Sequence, residues 1–302
     1  MRYPSDPRDG ADPRRQSAVG EPALRIVNVG KAFSTPEGEI PALSAISFAV
    51  APAEVVAVIG PSGCGKTTLV NIVGGLLDRF EGEVFVDGVD VRSHRAAIGM
   101  VFQEESTFPW RTTIENVAFP LEVAGIGKKE RLDRARHFIR LVGLDGFENR
   151  YPSELSGGMR QRTALARTLA FEPRVLLLDE PFAALDAQTR LLVGDKVMQI
   201  QQKLKQTTLI VTHNLNEAVQ LADRVVILTY RPGRVKRIVD IDLPRPRTSE
   251  IVESERFGRL VGTIWHDLRE EASRGLSDPE AEIQPRRGEF AAAPLSSRGA
   301  AG

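Results

Sequence analysis

The sequence has 302 residues, of which 42% are hydrophobic and 26% are charged, and its 40 basic residues balance 40 acidic ones. This is enough apolar material for one large domain or two modest ones, and zero formal charge gives no global field to attract nucleic acid or an anionic membrane. The one cysteine, Cys64, excludes a disulfide framework and fits a reducing cytosol. No secretory signal and no bilayer-spanning apolar run is present, so we expect a chain that is soluble by itself.

The predicted elements begin with strands and then alternate between strands and helices. The first strands are RIVNVGKAF, AISFAVA and EVVAVI, then comes the apolar helix LVNIVGGLL, and EVFVDGVDV contains the hairpin signal Asp87-Gly88. The predicted helices that follow are IENVAFPLEVAG, KKERLDRARHFIRLVGL, MRQRTALARTLA and RLLVGDKVMQIQQKLKQ. VLLLD and TLIVTH are short apolar runs typical of parallel strands covered on both faces. The alternation predicts an α/β fold with a parallel sheet.

Composition divides the chain into three parts. Residues 1–20 and 271–302 are predicted to be a disordered arm and a disordered tail, since they are too poor in apolar residues to offset their ordering entropy. The domain between them, 21–270, is predicted to contain a helical insertion over about 104–165. Near its end, Phe257, Leu260, Ile264 and Leu268 are expected to form the buried stripe of one helix.

The stretch GPSGCGKTT matches the phosphate-binding pattern G-x-x-x-x-G-K-[ST]. Its glycines leave backbone amides free to surround an anion, and the helix that follows directs its positive end at the same point. Lys66 is expected to contact the β and γ phosphates and the Thr67 hydroxyl to bind Mg²⁺. A chance glycine loop is the alternative, but the strand before it and the helix after it favour a nucleotide site. The predicted nucleotide-binding residues here are Gly60, Pro61, Ser62, Gly63, Cys64, Gly65, Lys66, Thr67 and Thr68.

Cys64 lies inside this loop. A redox or catalytic role is one interpretation, because helix N-termini lower thiol pKa values. The favoured interpretation is a small residue that fills space.

RVLLLDEP is an apolar strand that ends in two carboxylates. Asp179 is expected to hold Mg²⁺ through water, and Glu180 to orient and deprotonate the attacking water. An acidic turn after an ordinary strand is the alternative.

LSGGMRQR, over 155–162, resembles the signature motif of the ATP-binding cassette (ABC) proteins. Other motifs of that family follow the same order: MVFQEE resembles the Q-loop, AALD the D-loop and IVTHN the switch-histidine segment, and the aromatic residue of VGKAF resembles the one that stacks on adenine. The resemblance covers about 22–270 and implies a P-loop NTPase (RecA-like) core, an N-terminal antiparallel β subdomain and an inserted helical subdomain. The matching residues are Phe33, Gln103, Asp186, His213 and, in the signature, Leu155, Ser156, Gly157, Gly158, Met159, Arg160 and Gln161.

The resemblance implies a role for each of these residues. The signature opens a helix and would bind the ATP held by a second copy, so that two chains form a head-to-tail dimer. His213 would contact the γ-phosphate, with a satisfied structural histidine as the alternative. Gln103 would reach Mg²⁺ or the attacking water, or be a solvated loop residue. Phe33 would stack on adenine or lie in the core, and Asp186 would lie at the dimer interface or cap a helix.

Two further stretches resemble the nitrate, sulfonate and taurine import group. These are STFPWRTTIENVAFPLE, in which Phe108 and Thr113 depart from the commonest forms, and LTYRPGRVKRIVDIDLPRPR, in which RPGR is predicted to be a hairpin turn and not a phosphate or lipid site. Trp110 is predicted either to fill the helical subdomain or to contact a permease.

The resemblance implies an ATPase subunit of a bacterial importer, located at the cytoplasmic face of the membrane. Its partners would be a second ATPase subunit, separate membrane permease subunits and, indirectly, a solute-binding protein, with ATP and Mg²⁺ as cofactors. The alternative is a non-importer membrane complex of the lipoprotein-release or division type. A nucleic-acid-linked cassette is disfavoured, because the coiled-coil inserts, zinc motifs and tandem cassettes of that class are absent from the sequence.

Overall fold

The computed structural model describes residues 21–36, 38–93, 98–102, 107–183, 185 and 187–276. The predicted N-terminal arm lies outside the described residues, as do Gln103, Asp186 and most of the predicted C-terminal tail. The last helix continues to Leu276, a few residues beyond the predicted end of the folded domain at residue 270.

The elements alternate as the sequence predicts. The strands are β1 (Leu24–Thr35), β2 (Gly38–Val50), β3 (Val55–Ile59), β4 (Glu81–Val86), β5 (Val89–Asp90), β6 (Ile98–Val101), β7 (Val175–Asp179), β8 (Thr207–Val211), β9 (Arg224–Leu228) and β10 (Val235–Asp240). The α-helices are α1 (Lys66–Val73), α2 (Thr113–Val123), α3 (Lys128–Leu141), α4 (Gly157–Ala170), α5 (Ala187–Leu204), α6 (Leu215–Leu221) and α7 (Glu255–Leu276). Short 3-10 helices span Pro152–Glu154 and Ser249–Glu253.

The first sheet is antiparallel and confirms the predicted N-terminal β subdomain. Its strand order is β2-β1-β4-β5. The β4–β5 hairpin turns at Asp87 and Gly88, whose φ angles of 47° and 76° are both positive, as a tight two-residue hairpin turn requires. The β1–β2 ladder shifts register near Asn28, whose amide donates to Ser47 Oγ at 2.8 Å. The irregularity places Ile26 and Val29 both in the core, so strict alternation fails there.

The second sheet forms the centre of the domain, in the order β10-β9-β3-β8-β7-β6. Strands β9, β3, β8, β7 and β6 run parallel, and β10 is antiparallel to β9. Successive residues of β3 enter different cores: Val56 and Val58 pack with α1 and the antiparallel sheet, whereas Val55, Ala57 and Ile59 pack with the helices on the other face. Both faces are therefore covered, which explains the unbroken apolar runs and confirms the α/β prediction.

The predicted helical insertion is built from α2, α3 and the first half of α4, which pack on one another. A capping box at Thr112 and Glu115 begins α2. Helix α4 continues as one helix to Ala170. In its second half, Thr168 Oγ1 donates to the backbone oxygen of Met100 in β6 at 3.3 Å. This single helix joins the insertion to the central sheet.

Helix α7 covers the central sheet as the sequence predicts. Phe257, Ile264 and Leu268 are buried, and Leu260 packs against them. RPGR forms the turn between β9 and β10, so the predicted hairpin is confirmed. Among the described residues no helix is both long and apolar enough to cross a membrane.

Candidate nucleotide-binding site

Three neighbouring parallel strands bring the predicted motifs together. Residues Val58 of β3 and Asp179 of β7 both pair with Val211 of β8, so the three lie in one row across the sheet. Asp179 lies in this row, and the phosphate-binding loop, Glu180 and His213 follow it shortly afterwards in their own segments. They therefore meet at the carboxyl edge of the sheet, where open α/β folds bind ligands.

The loop needs its glycines for shape. Gly63 and Gly65 have φ angles of 76° and 93°, a region that side-chain-bearing residues rarely adopt. A Cβ on Gly65 would lie 2.7 Å from Leu43 Cδ2, and one on Gly60 would lie 2.6 Å from Cys64 Sγ. A side chain would therefore clash at Gly60 and Gly65 and would strain the backbone at Gly63 and Gly65.

Lys66 is buried in the loop, with 8% of its surface exposed. Its ammonium donates to Gly60 O and Pro61 O, both at 2.9 Å. Around it, Ser62 and Thr67 are exposed. The charge is thus held at the centre of a backbone cradle beside the first turn of α1.

Cys64 is fully buried, and its burial raises the pKa of the thiol despite the nearby Lys66. The thiol therefore stays protonated near neutral pH, which supports the space-filling interpretation over a redox one.

Asp179 ends β7 next to the loop. Burial and then the Glu180 charge raise its pKa to about 6, while Lys66 and a hydrogen bond with Thr67 act in the opposite direction. Its Oδ1 is buried and has no hydrogen-bond partner among the described residues. A carboxylate with one unpaired oxygen beside a hydroxyl is an oxygen donor set that suits Mg²⁺.

Glu180 and His213, predicted to be catalytic, are in contact. Glu180 Oε2 lies 3.2 Å from His213 Nδ1, and the Glu180 amide donates to Val211 O at 2.8 Å. The carboxylate side chain is 18% exposed and the imidazole 59% exposed, so both face the open edge of the sheet. Glu180 has a φ of 46°, a strained angle for a non-glycine residue that the strand ends hold in place.

Glu217 is a residue that the sequence analysis missed. It is buried on α6 and accepts a hydrogen bond from Thr212 Oγ1 at 2.8 Å. Burial raises its pKa to about 7, and the Thr212 hydrogen bond, Arg190 and His213 only partly offset this, while the Glu180 charge adds to it. The pattern N-x-x-E from Asn214 to Glu217, typical of a helix start, could have identified α6.

Phe33 lies on β1 and is partly exposed, with Lys31 Nζ 5.0 Å from its ring centre. It belongs to neither buried cluster, so the alternative that placed it in the core is wrong. The neighbouring strand β2 reaches the phosphate-binding loop through Leu43, so Phe33 lies on the sheet that borders the loop.

The signature lies apart from the phosphate-binding loop. Ser156 caps α4, and its hydroxyl accepts from Met159 N at 3.3 Å. Leu155 and Gly158 are buried, and Gln161 is half-buried. Helix α4 packs against α2, α3, α5 and β6, whereas α1 packs against β2, β7 and β8. The two helix starts that are predicted to bind anions thus belong to different layers of the same chain.

The two signature arginines bond to backbone carbonyls. Arg160 Nη1 donates to Leu155 O at 2.6 Å, and Arg162 Nη1 donates to Val142 O and Gly143 O at the end of α3, both at 3.1 Å. They stabilise the start of α4 and its junction with α3.

Comparison with known proteins identifies the family. The sequence profile described as ABC transporter matches residues 43–183. An uncharacterized ABC transporter ATP-binding protein of Methanocaldococcus jannaschii is 49% identical over 244 residues, which is 81% of this chain and 91% of the relative. The chain belongs to the ABC transporter ATP-binding family. The predicted family, the P-loop fold and ATP hydrolysis coupled to transport are confirmed.

Other relatives of this ABC protein carry more specific names. An aliphatic sulfonates import ATP-binding protein of Bacillus cereus is 43% identical over 250 residues, 80% of this chain and 98% of the relative. A nitrate import ATP-binding protein of Synechocystis is 44% identical over 252 residues, 82% of this chain and 95% of the relative. A dimeric structure of a post-hydrolysis state of an ATP-binding cassette, bound to ADP and Pi, is 32% identical with a TM-score of 0.65, over 73% of this chain and all of that one.

Proposed function

We propose that this ABC ATPase is the motor subunit of an importer for nitrate, sulfonates, taurine or a related small solute. It acts as a head-to-tail dimer bound to a separate permease at the cytoplasmic face of the membrane. One observation carries the proposal: Lys66, Asp179 and the Glu180–His213 pair meet at the ends of three adjacent strands. Because this cluster lies in a chain related to import ATP-binding proteins, the site is that of a transport motor.

The cluster supports distinct roles for its members. The backbone of 60–68 and the Lys66 ammonium bind the β and γ phosphates. Asp179 and Thr67 hold Mg²⁺, which neutralises phosphate charge when bound. Glu180 takes the proton of the attacking water, and His213, within 3.2 Å of it, orients that carboxylate and contacts the γ-phosphate. Phe33 stacks on the adenine.

The signature completes the site of a second copy. The exposed Ser156 and the amides that begin α4 present an anion site away from the chain's own loop. The solved ATP-binding cassette that is similar to this chain is a dimer bound to ADP and Pi. In our proposal Asp186 lies at the interface between the two copies.

An aromatic patch on the helical subdomain is the proposed contact with the permease. Trp110 is 72% exposed, so it does not fill the subdomain. Phe108 stacks against Trp110 with ring centres 5.7 Å apart and meets the Phe119 ring edge-on at 4.7 Å. Arg111 lies 4.9 Å from the Phe119 ring centre. An exposed aromatic beside a cation is typical of the centre of a protein interface.

Reconstitution of the transporter in vesicles tests both the import function and this contact. The permease complex is expected to hydrolyse ATP faster when a solute-loaded binding protein is added. Trp110→Ala should weaken binding to the permease by about thirtyfold or more, because a central interface aromatic contributes at least about 2 kcal/mol. The ATPase rate of the isolated chain should not change.

Trp265→Ala is the matched control, because Trp265 is also half-exposed but lies on α7. It should leave permease binding unchanged. If Trp110→Ala binds the permease normally, the contact lies elsewhere. If no binding protein stimulates hydrolysis, the chain serves a membrane complex of the non-importer type. The import functions in the names of its relatives do not favour this alternative.

A further inference from the structure

The β9–β10 hairpin lies directly against the phosphate-binding loop. The hairpin is bonded to β2 beside the loop: the amide of Gly233 donates to Ala42 O, and the amide of Ser44 donates to Gly233 O, both at 2.9 Å. A Cβ on Gly233 would overlap Cys64 O. The hairpin and the loop therefore touch backbone to backbone, with no room for a side chain between them.

Arg231, the first residue of the RPGR turn, contacts the loop itself. Its Nε–H donates to Gly63 O at 3.1 Å. A Cβ on Gly63 would lie 3.1 Å from Arg231 Nη2, so the guanidinium covers this glycine closely. Gly63 is one of the two loop residues with a positive φ, and it has no side chain of its own that could fix its conformation.

This contact sets the direction of one loop amide. A trans peptide is planar, and its C=O and N–H point in opposite directions. With Gly63 O directed at Arg231, the N–H of Cys64 points into the loop, where it donates to Pro61 O at 3.3 Å. Pro61 O also accepts from the Lys66 ammonium at 2.9 Å, so this amide and that charge converge.

The hairpin is rigidly supported on its other side by α7. The amide of Tyr230 donates to Glu271 Oε2 at 3.0 Å, and Lys236 Nζ donates to Glu271 Oε1 at 2.9 Å and to Asp267 O at 2.8 Å. Glu271 is almost fully buried. A residue on such a support can hold its partner in one position.

We propose that Arg231 is a positioning residue for nucleotide binding. It holds the Gly63 carbonyl and thereby fixes the orientation of the Gly63–Cys64 peptide in the loop, without touching the nucleotide. The proposal rests on the proposed assignment of 60–68 as the phosphate site. It gives the RPGR turn, whose sequence predicts only a hairpin, a part in that site.

Two variants of equal length separate a hydrogen bond from a charge. In Arg231→Gln the amide nitrogen stands as many bonds from Cα as the Nε of arginine, so a donor remains and the charge is lost. In Arg231→Met a methyl group takes that place and no donor remains. We expect the Kd for ADP, measured by calorimetry on the full chain, to rise about three- to tenfold in Arg231→Met. Arg231→Gln should stay within about twofold of the unaltered protein, and kcat should not change in either variant.

Arg234→Met is the control, since Arg234 is an exposed residue of the same turn. It should bind ADP normally. Equal losses in Arg231→Gln and Arg231→Met would show that the charge acts on the nucleotide directly and would overturn the proposal, as would normal affinity in Arg231→Met. Lys66→Ala tests the phosphate site itself. If this variant binds ADP normally, the phosphate site is elsewhere and both proposals fail. If Lys66→Ala loses ADP binding but Arg231→Met does not, only the proposal for Arg231 fails.

Discussion

Glu217 carries a buried carboxyl group beside the Glu180–His213 pair. Its Oε2 accepts from Thr212, but its Oε1 is buried and has no partner among the described residues. Burial is the main cause that raises its pKa to about 7. Between about pH 4.5 and 7 the folded state therefore binds more protons than the unfolded state, so the contribution of this group to stability falls as pH rises and is fully lost above pH 7.

Glu217→Gln should consequently stabilise the protein at pH 8 and have little effect at pH 4.5. The gain at pH 8 is expected to be up to about 3 kcal/mol, because the neutral amide avoids a buried charge. Denaturant unfolding at both pH values measures it. The control is Glu253→Gln, at an exposed position, which should show no such pH dependence. An equal effect of Glu217→Gln at both pH values would mean that water reaches the carboxylate.

At the residue scale, sequence reasoning was strongest where a motif demands one residue type. The loop glycines and Lys66 occupy the conformations and the position that their pattern predicts. The sequence did not predict the buried carboxyl of Glu217 or the contact of Arg231 with Gly63, because no short sequence pattern indicates either. Their contacts join segments that are distant in the chain, and only folding brings these together.

At the element scale, α7 is tied to the β9–β10 hairpin by one buried and one exposed acid. Lys236 Nζ lies 2.9 Å from both Glu271 and Glu270, whose side chains are 3% and 62% exposed. Burial would raise the pKa of Glu271, but hydrogen bonds from the Tyr230 amide and Lys236 lower it below its usual value. This pair therefore stabilises the fold above the unfolded pKa and loses its effect as pH falls through the folded pKa.

Glu271→Gln should destabilise the protein by about 2 kcal/mol at pH 7, because it removes a charge-assisted hydrogen bond in a buried setting. Glu270→Gln, which loses an ion pair with the same lysine at an exposed position, should cost much less. Thermal and denaturant unfolding of the two variants give the comparison. Similar losses in both would show that the burial of Glu271 adds nothing.

Element boundaries show where local patterns stop being informative. The α7 stripe was predicted, and the helix runs beyond residue 270 to Leu276, where a Cβ on Gly275 would lie 2.9 Å from the Tyr230 ring. Strand β6 and helix α6 had no assigned element in the sequence analysis. Both are short, with four and seven residues, and the period of so few positions is not distinctive.

At the scale of the whole molecule, each nucleotide site is proposed to need two chains. Glu180→Gln should bind ATP, form a stable dimer and lose about 10²–10⁴-fold in turnover, because only the proposed base is removed. Light scattering with and without ATP, together with phosphate release, measures this. Normal hydrolysis in this variant would show that another group acts as the base.

Gly157→Asp in the Glu180→Gln background tests the signature. Among the described residues, the one atom within 4 Å of a Cβ at Gly157 would be Arg160 Nη2, at 3.8 Å. An acid is also favourable at a helix start, so the chain should fold normally. The carboxylate should nevertheless repel the partner's γ-phosphate and prevent the ATP-dependent dimer. Gly157→Asn has the same size without the charge and should still dimerise. A dimer with aspartate at 157 would show that the signature does not face ATP.

The sequence by itself determined the fold class, the family and the positions of the motifs. These depend on local requirements: positive φ angles for glycine, apolar runs for strands covered on both faces, and acids at a strand end. Only the tertiary structure decided that Asp179 shares one row of the sheet with Val58 and Val211, that Trp110 is exposed, and that Arg231 holds Gly63. The physical reason is that strand order and side-chain burial follow from long-range packing, for which a single sequence carries no local signal.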